Sequence, residues 1–264
     1  MGELLTISPM WQALLATIMT WLLTAAGAAL VLLTKRATPL MMDAMLAFGA
    51  GVMLASSYWS LLSPAVELAL TLGQSPFIMA ATGFLCGGLL LLVCDRLLSR
   101  WLPHHLAVSD SHRRSILLTS SITLHNIPEG LAVGVTFGAL AAMPTSAALT
   151  GAWMLALGIG LQNFPEGAAV SLPLRREGMN RSRAFFYGQL SAVVEPVAGV
   201  LGALLAVHVQ EILPFALSFA AGAMVVVVIA ELVPESQRSR RPALMTIATL
   251  TGFTLMMILD VALG

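Results

Sequence analysis

Charge is what this sequence has least of: only 10% of its 264 residues are Asp, Glu, Lys or Arg, where soluble domains carry about 25%. That scarcity excludes a disordered chain, a nucleic-acid-binding protein and a solvated globule of this size. An excess of either sign is missing too, since 13 basic residues balance 13 acidic ones, so no strongly basic or acidic partner is implied. Cysteine is nearly absent. Cys86 and Cys94 lie on one apolar stretch, about 12 Å apart along a helix. That is too far for a disulfide within the chain, and both read as buried small hydrophobes. No phosphate-binding Gly-rich loop is present, which argues against ATP hydrolysis. What is plentiful is apolar: 58% hydrophobic residues and a mean hydropathy of +0.90 describe an integral membrane protein.

A helix needs about 20 apolar residues to cross the hydrocarbon core. The chain divides into eight such spans, near 9–33, 39–62, 76–98, 115–139, 146–173, 184–207, 211–233 and 243–263, separated by Pro, Gly and charge. The fold class is therefore an all-α membrane protein, read as one transmembrane transport domain over 1–264. Basic residues follow only alternate spans: Lys35 and Arg36; Arg96, Arg100, Arg113 and Arg114; Arg175, Arg176, Arg181 and Arg183; Arg238, Arg240 and Arg241. Cytoplasmic loops hold the excess of Lys and Arg, so both termini are expected outside the cytoplasm, in a cell (inner) membrane. The N-terminus lacks a positive n-region, and its first apolar stretch is too long for a signal peptide, so it counts as span one. Small residues such as Gly49, Gly51, Gly87, Gly88, Gly158, Gly160, Gly199 and Gly202 suit close helix packing.

Ionisable residues at bilayer depth are costly and mark function by default. Span four contains Leu124-His125-Asn126-Ile127-Pro128-Glu129-Gly130, and span five contains Leu161-Gln162-Asn163-Phe164-Pro165-Glu166-Gly167. The two segments share one pattern, and span six adds Glu195-Pro196. His125 and Glu129 are four apart, as are Gln162 and Glu166, so each pair shares a helix face. Each Pro should kink its helix and free the carbonyl four residues back, at Leu124 and Leu161. Spans four and five run in opposite directions, so the shared motif has the character of an inverted repeat meeting at the midplane, a signature of secondary transporters. A lone His with Asn in a bundle is commonly an interhelical hydrogen bond. Three Glu at matched depth are different, because ionised they repel unless a cation or shared protons neutralise them. The mixed nitrogen and oxygen donor set suits zinc, iron or manganese better than calcium or magnesium.

With these residues the sequence resembles the ZIP (Zrt/Irt-like) family of divalent-metal transporters, and most closely its prokaryotic branch. The resemblance covers essentially the whole chain: eight spans, the His125-Asn126-x-Pro128-Glu129-Gly130 motif, its relative at 162–167, and Glu195-Pro196. It implies import of zinc, with iron, manganese or cadmium as other cargo, and no resident cofactor. It also implies a metal site of His125, Asn126, Glu129, Gln162, Asn163, Glu166 and Glu195, joined by Met53 from span two. Two positions depart from common family patterns. Gln162 stands where many members have His, and Asn163 where some bacterial members have a bridging Asp, which favours one well-occupied site over a two-metal centre.

Asp43, near the start of span two, together with Glu231 and Glu235 of span seven could form an inner release site; Glu231 resembles a family position on the exit route. The 99–114 loop holds His104, His105 and His112, and similar family loops are His-rich. His208 reads as interfacial, and Asp260 has no assigned role. The expected partners are divalent metal ions and membrane lipid, with a homodimer compatible and nucleic acid excluded. The alternative function is an intramembrane metal-dependent hydrolase, which would also use His and carboxylates with one open position for water. Against it stand the lack of a His-Glu-x-x-His pair and the duplicated, proline-containing helices.

Overall fold

The computed structural model describes residues 7–33, 38–105, 110–141, 144–176 and 178–263; it is helical, with no strand among them. Eight long helices carry the chain back and forth: α1 (Pro9–Leu33), α2 (Pro39–Thr71), α3 (Pro76–His105), α4 (Asp110–Ala139), α5 (Ser146–Arg176), α6 (Arg181–His208), α7 (Gln210–Gln237) and α8 (Pro242–Leu263). Among the described residues, seven helices are long and apolar enough to cross a membrane. The exception, α4, is 30 residues long, or about 45 Å. Its ionisable and amide residues are Asp110, His112, Arg113 and Arg114 at one end and His125, Asn126 and Glu129 at its middle.

Helices extend past the expected spans where apolar sequence gives way to polar: α2 continues to Thr71 and α3 to His105. Hydropathy marks the part that fits hydrocarbon, whereas backbone hydrogen bonding carries a helix onward into water. Lys35 and Arg36 lie outside the described residues, as do the side chains of His104, His105 and His112.

Proline shapes the irregularities. Both α4 and α5 remain helical through Pro128 and Pro165. The chain departs from α-geometry at other prolines: a π-segment at Ser57–Leu62 before Pro64, another at Val228–Leu232 before Pro234, and a turn at 191–193 before Pro196. In each case the ring removes the N–H that would bond the carbonyl four residues back, at Ser60, Ala230 or Ala192. A π-turn absorbs the extra residue, and such turns recur at functional sites.

Glycine lets four helix pairs meet backbone to backbone. A Cβ on Gly27 or Gly167 would run into Phe164 or Thr24, joining α1 to α5; one on Gly134 would run into Gly199, joining α4 to α6. Gly51 and Gly252 do the same for α2 and α8, and Gly87 and Gly222 for α3 and α7. This close approach replaces the hydrophobic driving force that lipid cannot supply. Cys86 and Cys94 correct the sequence expectation: both are free thiols on the outer helix α3, one exposed and one partly exposed. Lipid solvates an apolar side chain as well as a protein core does, so apolarity does not imply burial here.

The main core cluster includes Met53 and Leu61 of α2, Val133 and Phe137 of α4, Leu155 and Ile159 of α5, and Leu217 and Met224 of α7, all 3% exposed or less. On α4 these residues come after the motif and on α5 before it.

Candidate metal site

His125, Asn126, Glu129, Gln162, Asn163, Glu166 and Glu195 are all buried, and Glu129, Gln162, Asn163 and Glu195 are fully so. Helical spacing produces the grouping. Positions 125, 126 and 129 share one face of α4, positions 162, 163 and 166 one face of α5, and the two faces meet. Gln162 Nε2 donates to Glu129 Oε1 at 2.7 Å, and Asn163 Nδ2 donates to Glu195 Oε1 at 2.8 Å. Asn126 Nδ2 donates to the Ser191 carbonyl at 2.9 Å, inside the turn that interrupts α6. His125 Nε2 lies 3.0 Å from Glu231 Oε1 of α7. Met53 of α2 is also fully buried.

These bonds orient the amides. A carboxylate or carbonyl can only accept, so the NH₂ group of each amide turns toward it and the amide oxygen turns away. Asn126 Oδ1, Gln162 Oε1, Asn163 Oδ1 and Glu129 Oε2 are consequently buried acceptors with no hydrogen-bond partner. Buried polar atoms are rarely left so. Four oxygen acceptors and an imidazole make a donor set that a borderline divalent cation satisfies, while Met53 is buried in the main apolar cluster. Among the described residues no three His, Cys, Asp or Glu side chains form a ready-made metal cage. The reason is visible in the bonds: Glu129 and Glu195 are each held by an amide, and His125 by Glu231.

A cleft of about 510 Å³ leads from His125 and Glu166 to one face of the bundle, past Asp43 of α2 and Glu231 and Glu235 of α7. The sequence-predicted exit residues therefore share one space with the motif residues. Glu235 is mostly engaged elsewhere, bonded to Arg238 at 2.8 Å with both side chains exposed; such a pair contributes at most about 1 kcal/mol. Toward the opposite face a second hollow of about 520 Å³ is lined by Trp59, Ser60, Glu67 and Asp260, among others. Ser60 Oγ donates to Asp260 Oδ1 at 2.7 Å, which gives Asp260 a partner the sequence did not reveal. His208 is exposed, its Nδ1 2.8 Å from the Leu204 carbonyl at the end of α6.

Sequence reasoning missed Thr20 of α1, whose hydroxyl donates to Glu195 Oε2. A signal existed in the spacing of Thr17, Thr20 and Thr24, which put three hydroxyls on one face of an otherwise apolar helix, all of them buried.

Known proteins resemble the chain over most of its length. The family described as ZIP Zinc transporter matches residues 104–260, which include both motifs and Glu195. The chain is 42% identical to the zinc transporter ZIP11 of Bos taurus, over 97% of this chain and 98% of that one. It is 37% identical to the zinc transporter GufA of Myxococcus xanthus over 78% and 81%, and 34% identical to the zinc transporter ZIPB of Bordetella bronchiseptica over 91% and 78%. The likeness thus reaches animal as well as bacterial members. It is a likeness to transporters rather than enzymes, which removes the hydrolase reading. With the duplicated motif, the buried acceptors and near full-length similarity together, the chain belongs to the ZIP zinc transporter family.

Proposed function

We propose that the protein, as a single transmembrane domain over 1–264, imports divalent metal ions, zinc foremost and iron, manganese or cadmium in its place. The cargo binds among His125, Asn126, Glu129, Gln162, Asn163, Glu166, Glu195 and Met53, and leaves past Glu231 and Asp43. The observation that carries this reading is the set of four buried, unpartnered acceptor oxygens, which a cation stabilises and an apolar core does not. Arg175, Arg181, Arg183, Arg238, Arg240 and Arg241 are exposed near the cleft's face, so by the distribution of positive charge that face is cytoplasmic and both termini are outside. The setting is the cell (inner) membrane, with lipid around the helices and a homodimer as the assembly to be measured by light scattering in detergent.

The test is uptake into proteoliposomes holding a metal-sensitive dye, with zinc outside. Saturable flux supports the reading; no flux from folded protein that binds zinc overturns it.

Two further outcomes are expected in the same assay. Metal ligands bind deprotonated, so protons compete with the cargo. Lowering the pH from about 7.5 to 5.5 should raise the zinc concentration needed for half-maximal uptake severalfold; a flat pH profile would count against carboxylate and imidazole ligation. Glu231→Gln keeps a hydrogen-bond acceptor for His125 but removes a charge from the cleft. It should lower the maximal rate severalfold with a smaller change in half-saturation, separating release from binding.

A further inference from the structure

The Glu195 carboxylate is filled by protein on both sides. Asn163 Nδ2 donates to Oε1 at 2.8 Å, and the Thr20 hydroxyl donates to Oε2. All three side chains are fully buried. Thr20 Oγ1 also lies 3.0 Å from the Thr17 carbonyl, but a hydroxyl has one proton to give. The bond to Glu195 Oε2 is the one that joins α1 to α6, and it takes the hydroxyl proton. The chain Thr20–Glu195–Asn163 spans α1, α6 and α5. Its last member is one of the amides whose oxygen is buried and without a partner.

We propose that Thr20 is a positioning residue of the metal site. Its hydroxyl fixes Glu195, Glu195 fixes the NH₂ of Asn163, and Asn163 Oδ1 is thereby aimed at the cargo. Glu195 in this arrangement also acts on the metal through Asn163, because one bond to each of its oxygens fixes the plane of the carboxylate. Free of the hydroxyl, the carboxylate can turn, and the Asn163 amide can rotate with it. The proposal rests on the transport reading above and adds a residue from a helix that carries neither motif.

The experiment uses the full chain in proteoliposomes with zinc as the only transported ion. Thr20→Val preserves volume and removes the hydroxyl, Thr20→Ser keeps it, and Thr17→Val removes a different buried hydroxyl, one that bonds the Ala13 carbonyl at 2.7 Å. Partners that orient metal ligands are worth about 10–100-fold in affinity. Thr20→Val should therefore raise half-saturation for zinc about tenfold with little change in maximal rate per folded molecule. Thr20→Ser and Thr17→Val should stay within about twofold of the unmodified protein, the scatter expected when no site partner is lost. The proposal is overturned if Thr20→Val behaves like the unmodified chain, or if Thr17→Val produces the same shift. Should Thr20→Val not fold, Thr20→Ser decides: a shift in half-saturation there, with the hydroxyl retained, overturns the proposal, and unchanged half-saturation supports it. Failure of the transport reading itself would look different, as absence of zinc flux in the unmodified protein.

Discussion

Glu129→Ala should reduce saturable zinc uptake to background while leaving folded protein. Glu129 is fully buried; Gln162 occupies one of its oxygens and none of the described residues occupies the other. Truncation removes the carboxyl proposed to bind the cargo, and it frees the Gln162 amide to turn. Loss of an outer partner alone lowers metal affinity about 10–100-fold, so loss of this carboxylate should exceed 100-fold. The destabilisation is smaller, since an orphaned buried donor costs about 1–3 kcal/mol. Glu129→Gln, which keeps shape and an acceptor but not charge, should be nearly as inactive. Uptake close to that of the unmodified chain in either variant would remove Glu129 from the cargo's path. The readout is initial rate per correctly inserted molecule, so that expression differences do not enter.

Gly134→Ala is expected to lower stability strongly. A single methyl at this position would overlap the backbone carbonyl of Gly199, which a side-chain rotation cannot relieve. Overpacking typically costs about 1–3 kcal/mol, and more when backbone must separate. Here the separated helices would be α4 and α6, which hold Glu129 and Glu195. Gly151 of α5 supplies the contrast: nothing lies within 4 Å of a Cβ built there, and alanine is the better helix former by about 1 kcal/mol. Thermal unfolding followed by size-exclusion fluorescence should show the Gly134 variant melting several degrees lower or lost to aggregation, and Gly151→Ala unchanged or slightly more stable. Equal melting of the two variants would mean that α4 and α6 do not depend on that contact.

Much of the site was legible because bilayers make polar residues conspicuous. His125, Asn126, Glu129 and Glu166 stand out from apolar surroundings, and their duplicated spacing with Pro fixed the helix faces. The eight helices were legible for the same reason, from unbroken apolar runs. Thr20 was not, because a Thr can satisfy its hydroxyl on its own helix and so sends no signal of cost. The His125–Glu231 contact joins residues a hundred positions apart, and no periodicity encodes such a meeting. The π-segments before Pro64 and Pro234 depend on how neighbouring helices absorb a missing hydrogen bond, which a single segment does not reveal. Cys86 was misjudged because apolar side chains face outward as readily as inward when the solvent is lipid.

Along their helices, Met53, Val133, Leu155, Ile159 and Met224 lie between the residues that line two hollows at opposite ends of the bundle. Each hollow extends the electrical potential of its own side inward, so the membrane voltage falls mainly across the stretch between them. A dication that crosses it moves two elementary charges through most of the field, worth about 4.6 kcal/mol for every 100 mV. The side chains packed between the hollows thus decide where a negative-inside membrane does electrical work on the cargo.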